Sequence, residues 1–166
     1  MTGVQTCALP ILGAKSPCIL VSINDPDQLM DLVCLACSIA GSDRHVAVHA
    51  LHVVVMPRAL PLDADSKDDA AFGEALLAKA EEVAEERFGR RIHTDLLQAR
   101  DAGPAIVEEV HEKGIGAVVL GFRRHRGFGE RMVGATADYV MKHAPCRVVI
   151  NVPAEPGGNG GAERTP

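Results

Sequence analysis

The chain has 166 residues, of which 47% are apolar and 23% are charged, close to the average for a globular domain. This composition excludes collagen-like and wholly disordered chains, and no apolar run approaches the roughly 18 residues that a membrane-spanning helix needs. A formal net charge of -5, the absence of Trp and an aromatic content of 3% argue against a nucleic-acid-binding surface.

Two hydrophobic periodicities alternate along the chain. Compact β-branched runs predict strands, and apolar stripes with a 3.6-residue repeat predict helices. The predicted elements, in order, are strand 18–23, helix 25–40, strand 46–55, helix 66–88, strand 91–99, helix 103–114, strand 116–122, a helix marked by Ala137 to Ala144, and strand 146–152. Glycines at 41, 89 and 114 are expected to end the first three helices.

Five strands alternating with four helices predict a doubly wound α/β domain. Parallel βαβ units with right-handed crossovers place helices on both faces of one sheet. In such sheets, ligands lie beyond the carboxyl ends of the strands, where the winding reverses. This rule points to the loops that follow Ile23, Val53 and Leu120.

The domain is predicted to span residues 14–153. Residues 154–166 are rich in Gly and Pro and are expected to form a flexible tail. The stretch Thr2 to Ile11, TGVQTCALPI, resembles the translation of a common sequencing adapter. We therefore expect residues 1–13 to be an artefact that replaces the natural upstream sequence, with a disordered leader as the alternative.

The segment 121–136, GFRRHRGFGERMVGAT, is the richest in candidate binding residues. Gly134, Ala135 and Thr136 begin the last predicted helix, where unpaired amides and the helix dipole stabilise an anion. Four arginines in the preceding loop raise the local positive potential. One interpretation is a polyphosphate cradle; the other is a tight surface loop with solvated arginines, in which Thr136 helps to cap the helix.

Other motifs favour structural roles. Cys34 and Cys37 have CxxC spacing, but they lie mid-helix on an apolar stripe, which predicts core packing instead of redox chemistry. His49 and His52 lie three apart on a strand and point to opposite faces, so no metal site is predicted. No nucleophile, base and orienting group form a defensible catalytic arrangement, so catalysis is not predicted, although slow ATP hydrolysis stays open. The scattered cysteines are typical of reduced thiols in a cytoplasmic protein.

Residues 18–152 resemble the universal stress protein family. The resemblance lies in ILVSIND, ALHVVV, GIGAVVLGFRR and GERMVGATADYVMKHAPCRVVI, and the helix that leads into HAPC before an apolar strand is its most specific part. It implies a five-stranded sheet of order 3-2-1-4-5 and a homodimer formed through the last edge strand, residues 146–152. It also implies, in some members, a bound ATP.

The nucleotide-binding members carry G-x2-G-x9-G-[S/T] and an Asp that ends the first strand. Gly121 and Gly134 keep the first and last glycines, whereas Arg124, Ala135 and Asn24 depart from the pattern. Thr136 lies one position after the expected hydroxyl residue. The site that the resemblance implies comprises Ser22, Ile23, Asn24, Val53, Leu120, Gly121, Arg124, Gly134, Ala135 and Thr136, with Ser22, Ile23 and Val53 acting largely through their backbone.

These features predict a stress-response or regulatory module that responds to an adenine nucleotide, ATP or AMP, and is not an enzyme. The only metal expected is Mg that arrives with the nucleotide. The alternative is a cytosolic regulatory domain of a membrane transporter that binds no nucleotide. Asn24 followed by Asp-Pro, together with MPRALPL, resembles the universal stress domains fused behind amino-acid permeases, and such a domain would lie at the cytosolic face of the membrane.

Overall fold

The computed structural model describes residues 18–61, 66–122 and 134–153. The elements in chain order are β1 (Cys18–Ser22), α1 (Pro26–Ala40), β2 (Ala47–Val55), α2 (Lys67–Phe88), β3 (His93–Ala99), α3 (Ala102–Glu112), β4 (Ala117–Gly121), α4 (Ala135–His143) and β5 (Arg147–Asn151). None of the helices in these three ranges is long and apolar enough to cross a membrane.

The five strands form one sheet in the order β3-β2-β1-β4-β5, and every neighbouring pair is parallel. This topology confirms the predicted doubly wound α/β fold. The central strand β1 pairs with β2 on one side and β4 on the other, so that Ser22 lies opposite both Leu51 and Leu120. The carboxyl ends of these three strands therefore meet at one edge of the sheet.

The core consists of two apolar layers, one on each face of the sheet. On one face, α1 and α2 bury Leu32 and Val83 against the sheet, and on the other α3 and α4 bury Ile106 and Val140. Alternate residues of β1 point into the two layers, as the period of a strand requires. Because both faces are covered, β1 and β4 are almost continuously apolar and show no alternation of apolar and polar residues.

The helix boundaries follow local chemistry. Asp25 caps α1 through a bond from the Asp27 amide to its side chain, and Gly41 and Gly89 follow α1 and α2 with positive φ angles of 62° and 55°. Strand β3 begins at His93, two residues later than predicted, because the chain is still leaving the turn at Gly89. Helix α3 begins one residue earlier than the pattern indicated, and α4 begins at Ala135, within the predicted start at 134–136.

Arg90 ties the turn after α2 to the connection between α1 and β2. Arg90 is 9% exposed. Its guanidinium donates to the carbonyl oxygens of Val46, Gly41 and Asp43, the last two at 2.9 and 2.8 Å. These carbonyls lie more than 40 positions away in the sequence, so one side chain joins both helix ends. A planar guanidinium suits several acceptors at once, which a lysine ammonium does not.

We predict that Arg90→Lys lowers the free energy of unfolding by about 2 kcal/mol, because carbonyls that accept from a charged donor are left unpaired. Urea denaturation measures this change. Arg87→Lys, at an exposed position in the last turn of α2, is the matched control and should change stability by less than about 0.5 kcal/mol. Equal effects of the two substitutions would contradict the role given to Arg90.

A polar cluster lies between the sheet and α3. His49 stacks on His93 with ring centroids 4.6 Å apart, and its Nδ1 lies 3.6 Å from Asp95. Lys113 contacts both Asp95 and Glu109 at 2.6 Å. Burial, assisted by the positive charges of His93 and Lys113, lowers the pKa of His49 although Asp95 opposes the shift. The folded protein therefore favours neutral His49.

The lowered pKa of His49 predicts that the protein loses stability as the pH falls from 7 to 5. The unfolded state, with an ordinary histidine pKa near 6.5, then binds a proton that the folded state resists. His49→Gln should show a smaller loss over the same range, which stays above the titration of most carboxyl groups. Urea denaturation at each pH tests this, and an unchanged pH slope in the variant would contradict it.

Candidate functional site

The sheet forms a crevice where the carboxyl ends of β1 and β4 lie side by side. Ser22 and Leu120 are paired across the two strands, and Ile23 and Gly121 follow them. From these ends, β1 leads to α1 on one face of the sheet, and α4, the next described helix after β4, covers the other face. The winding therefore reverses here, as the topology rule predicts for a ligand site.

The end of β1 is held in place by β2. The Ile23 amide donates to the Leu51 carbonyl at 2.9 Å, and the Ile23 carbonyl accepts from Nδ1 of His52 at 2.7 Å. His52 is 7% exposed, and because a carbonyl only accepts, its Nδ1 carries the proton. Both backbone groups of Ile23 are thus already bonded within the sheet.

Helix α2 packs closely on His52. A Cβ added to Gly73 would lie 2.5 Å from Cδ2 of His52 and 2.7 Å from Leu96, so only glycine fits at this crossing. Phe72 lies edge-on to the His52 ring with centroids 6.1 Å apart. In the sequence, His52 was considered only as a metal ligand and set aside. In the structure, its packing against α2 fixes the ring that bonds to the end of β1.

The first turn of α1 forms one wall of the crevice. Asp25 and Gln28 are 8% and 7% exposed, and Nε2 of Gln28 donates to Oδ2 of Asp25 at 3.1 Å. A Cβ added to Gly121 would lie 2.5 Å from Oε1 of Gln28, so the observed position of this side chain depends on glycine at 121. Gln28 was absent from the sequence prediction, although its D-x-x-Q spacing from Asp25 is a recognisable helix-start signal.

The first turn of α4 forms the opposite wall. Gly134 is the N-cap residue with φ -56° and ψ 150°, and no side chain caps the helix. Gly134 and Ala135 are exposed, and Thr136 is half-buried and makes no capping bond. The amides of the first turn have no partner within the helix, and no described side chain caps them.

Gly134 differs from Gly121 in one informative respect. A Cβ added to Gly134 would meet nothing within 4 Å, and its φ of -56° is available to any residue. Neither packing nor backbone geometry requires glycine there, as far as the described residues extend. The space beside Gly134, where a Cβ would lie, is therefore available to an atom of a ligand.

The structure brings most of the predicted site residues to this edge of the sheet. Ser22, Ile23, Leu120 and Gly121 lie at the adjacent ends of β1 and β4, and Asn24 is exposed beyond them. Val53 lies two residues past Leu51 on β2, 8% exposed, and packs with the apolar layer beneath α3 and α4. Arg124 lies outside the described residues.

The other motifs behave as structural elements. Cys37 is fully buried in the layer beneath α1 and α2, and Cys34 packs half-buried against the same layer. Burial raises the pKa of the Cys37 thiol, which opposes the thiolate that redox chemistry needs. Within residues 18–61, 66–122 and 134–153, no group of three His, Cys, Asp or Glu side chains is arranged to hold a metal ion.

Three comparisons with known proteins agree on the fold. The chain is 33% identical over 78 residues to universal stress protein MJ0531 of Methanocaldococcus jannaschii, which covers 47% of this chain and 45% of that protein. The match thus spans less than half the length of that relative. A universal stress protein of Archaeoglobus fulgidus superposes with a TM-score of 0.67 at 21% identity, over 80% of this chain and 96% of that one.

A second structure of the universal stress protein from Archaeoglobus fulgidus, in complex with dAMP, superposes with a TM-score of 0.63 at 20% identity. It covers 80% of this chain and 94% of that chain. The model of the universal stress protein family matches residues 18–153, which include every strand and helix described above. The chain therefore belongs to the universal stress protein family.

Proposed function

We propose that this chain binds an adenine nucleotide across the ends of β1 and β4 and acts as a regulatory module of the stress response, not as an enzyme. The observation that carries the proposal is the open start of α4, where neither packing nor φ requires Gly134 to be glycine. The dAMP complex of the Archaeoglobus fulgidus protein supports an adenine nucleotide as the ligand class.

Electrostatics favour phosphate at the start of α4. The nine-residue helix begins at this edge of the sheet, where the amides of its first turn lack intrahelical partners and the positive end of its dipole lies. Asp138 is the acidic residue of the first turn, and its carboxylate is paired with Lys142 at 2.7 Å one turn later. The amides of Ala135 and Thr136 are thus the groups best placed to meet phosphate oxygens.

We predict that Gly134→Asp removes nucleotide binding without destabilising the protein. An aspartate at the N-cap satisfies the same amides and stabilises the helix by a few tenths of a kcal/mol relative to glycine, while its charge repels phosphate. Affinity for AMP and ATP, measured by isothermal titration calorimetry, should fall at least about tenfold, a loss of about 1.4 kcal/mol.

Gly134→Asn is the matched control because it caps the helix without adding charge. It should keep the melting temperature of Gly134→Asp and lose less affinity. Equal affinity of Gly134→Asp and the wild type would place the phosphates elsewhere. A wild-type protein that binds no adenine nucleotide would overturn the proposal and favour the transporter-associated regulatory domain that the sequence left as the alternative.

We also propose that the protein forms a homodimer through β5. This strand has one neighbour, β4, and its residues Val148, Val149 and Ile150 stay half-buried. Arg147 and Asn151 direct their backbone groups to the β4 side, so those of Val148 and Ile150 face away from the sheet. A second copy paired on this edge would satisfy those groups and cover the adjoining apolar side chains.

Sedimentation equilibrium should therefore show a dimer, and Val152→Lys should raise its dissociation constant at least about tenfold, because a charge at the end of an edge strand opposes pairing. Val152 is 48% exposed, so the substitution has little effect on folding. Phe88→Lys, at a 38% exposed position on the far side of the sheet, is the control and should leave the dimer intact. A monomeric wild type would contradict the proposal.

A further inference from the structure

Asp25 and Gln28 begin α1 with an unusual arrangement of their side chains. Their spacing, from N-cap to the third helical residue, is that of a capping box, in which the glutamine oxygen accepts from the N-cap amide. Here the amide group is turned the other way: Nε2 donates to Oδ2 of Asp25 at 3.1 Å. The oxygen Oε1 consequently points away from the N-cap, toward the end of β4.

The oxygen Oε1 of Gln28 is buried and has no hydrogen-bond partner. The whole residue is 7% exposed, and Oε1 lies against Gly121, close to where a Cβ of residue 121 would be. Its orientation is fixed by chemistry, because exchanging the amide nitrogen and oxygen would set an oxygen against the Asp25 carboxylate. A buried acceptor without a donor is unfavourable, and such groups call for an explanation.

The partner that Oε1 of Gln28 lacks must be a hydrogen-bond donor. This requirement selects the part of a nucleotide that can bind there. Phosphate oxygens only accept at neutral pH, so they cannot donate to Oε1. A nucleotide offers two kinds of donor, the ribose hydroxyls and the adenine amino group. The ribose is the group bonded directly to the phosphates, so it lies nearest to them at the end of β4, where Gly121 adjoins Gln28.

We propose that Gln28 is a ribose-recognising residue whose Oε1 accepts a hydrogen bond from a ribose hydroxyl of the bound nucleotide. The proposal rests on the nucleotide-binding function proposed above and assigns the α1 wall to the sugar, as the α4 wall is assigned to phosphate. Oε1 is covered in the structure, so contact requires the side chain to rotate toward the opening. Rotation breaks the bond from Nε2 to Asp25 but none at Oε1, which has no partner among the described residues.

The test compares AMP with 2′,3′-dideoxy-AMP, which lacks both hydroxyls, by isothermal titration calorimetry. The wild type should bind AMP about five- to tenfold more tightly, the factor expected of one net hydrogen bond. In Gln28→Met, which keeps the length of the side chain but removes the acceptor, the two affinities should become equal. Each result is a ratio within one preparation, so a partial loss of stability in the variant does not affect it.

Two controls locate the effect. Gln98→Met, at an exposed position near the end of β3, should keep the wild-type preference for AMP. The ratio of AMP to IMP affinities, which reports on the adenine amino group, should be the same in Gln28→Met and in the wild type.

Four outcomes would overturn the proposal, and each points to a different cause. A preference for AMP that persists in Gln28→Met would show that Gln28 only stabilises the start of α1 and does not contact the ribose. Loss of the AMP-to-IMP preference instead would assign the donor to the base. A wild type that binds AMP but does not distinguish it from the dideoxy analogue would refute sugar recognition alone, whereas a wild type that binds neither would refute the nucleotide-binding function as well.

Discussion

The parallel pairing of β1 with β4 is the constraint on which the candidate site depends. It sets Ser22 beside Leu120, and α1 and α4, the helices that follow these strands, lie on opposite faces of the sheet. The crevice between the two helix starts is therefore a consequence of topology and does not depend on any one side chain. The bond from His52 to Ile23 and the close crossing at Gly73 hold the β2 side of this arrangement in place.

The two walls of the crevice offer opposite hydrogen-bonding groups. The start of α4 presents backbone donors at an open glycine, Gly134, whereas the start of α1 presents the acceptor Oε1 of Gln28 beside the Asp25 carboxylate. A ligand that is anionic at one end and bears hydroxyl groups at the other complements both walls. Nucleotides have this distribution of groups, so the polarity of the crevice and the ligand class proposed for it agree.

Periodicity and punctuation residues were enough to predict every strand and helix in the described ranges, because both covered faces of the sheet impose regular apolar patterns. The sheet order came from the resemblance to the family and is confirmed by the strand pairing. The long-range polar contacts were not predictable. Arg90 reaches carbonyls more than 40 positions away, and no local pattern encodes such a partner. Gly121 and Gly134 look equivalent in the sequence, yet among the described residues Gly121 packs closely on the Gln28 side chain, whereas a Cβ at Gly134 would meet nothing within 4 Å.

The central claim is that the amides at the start of α4 bind the phosphates of an adenine nucleotide. Backbone amide NMR of the labelled protein during titration with AMP tests it most directly. The account predicts saturable shifts for Ala135 and Thr136 that exceed those at the ends of the outer strand β3. Saturable shifts confined to other parts of the molecule, or none at any AMP concentration, would contradict it.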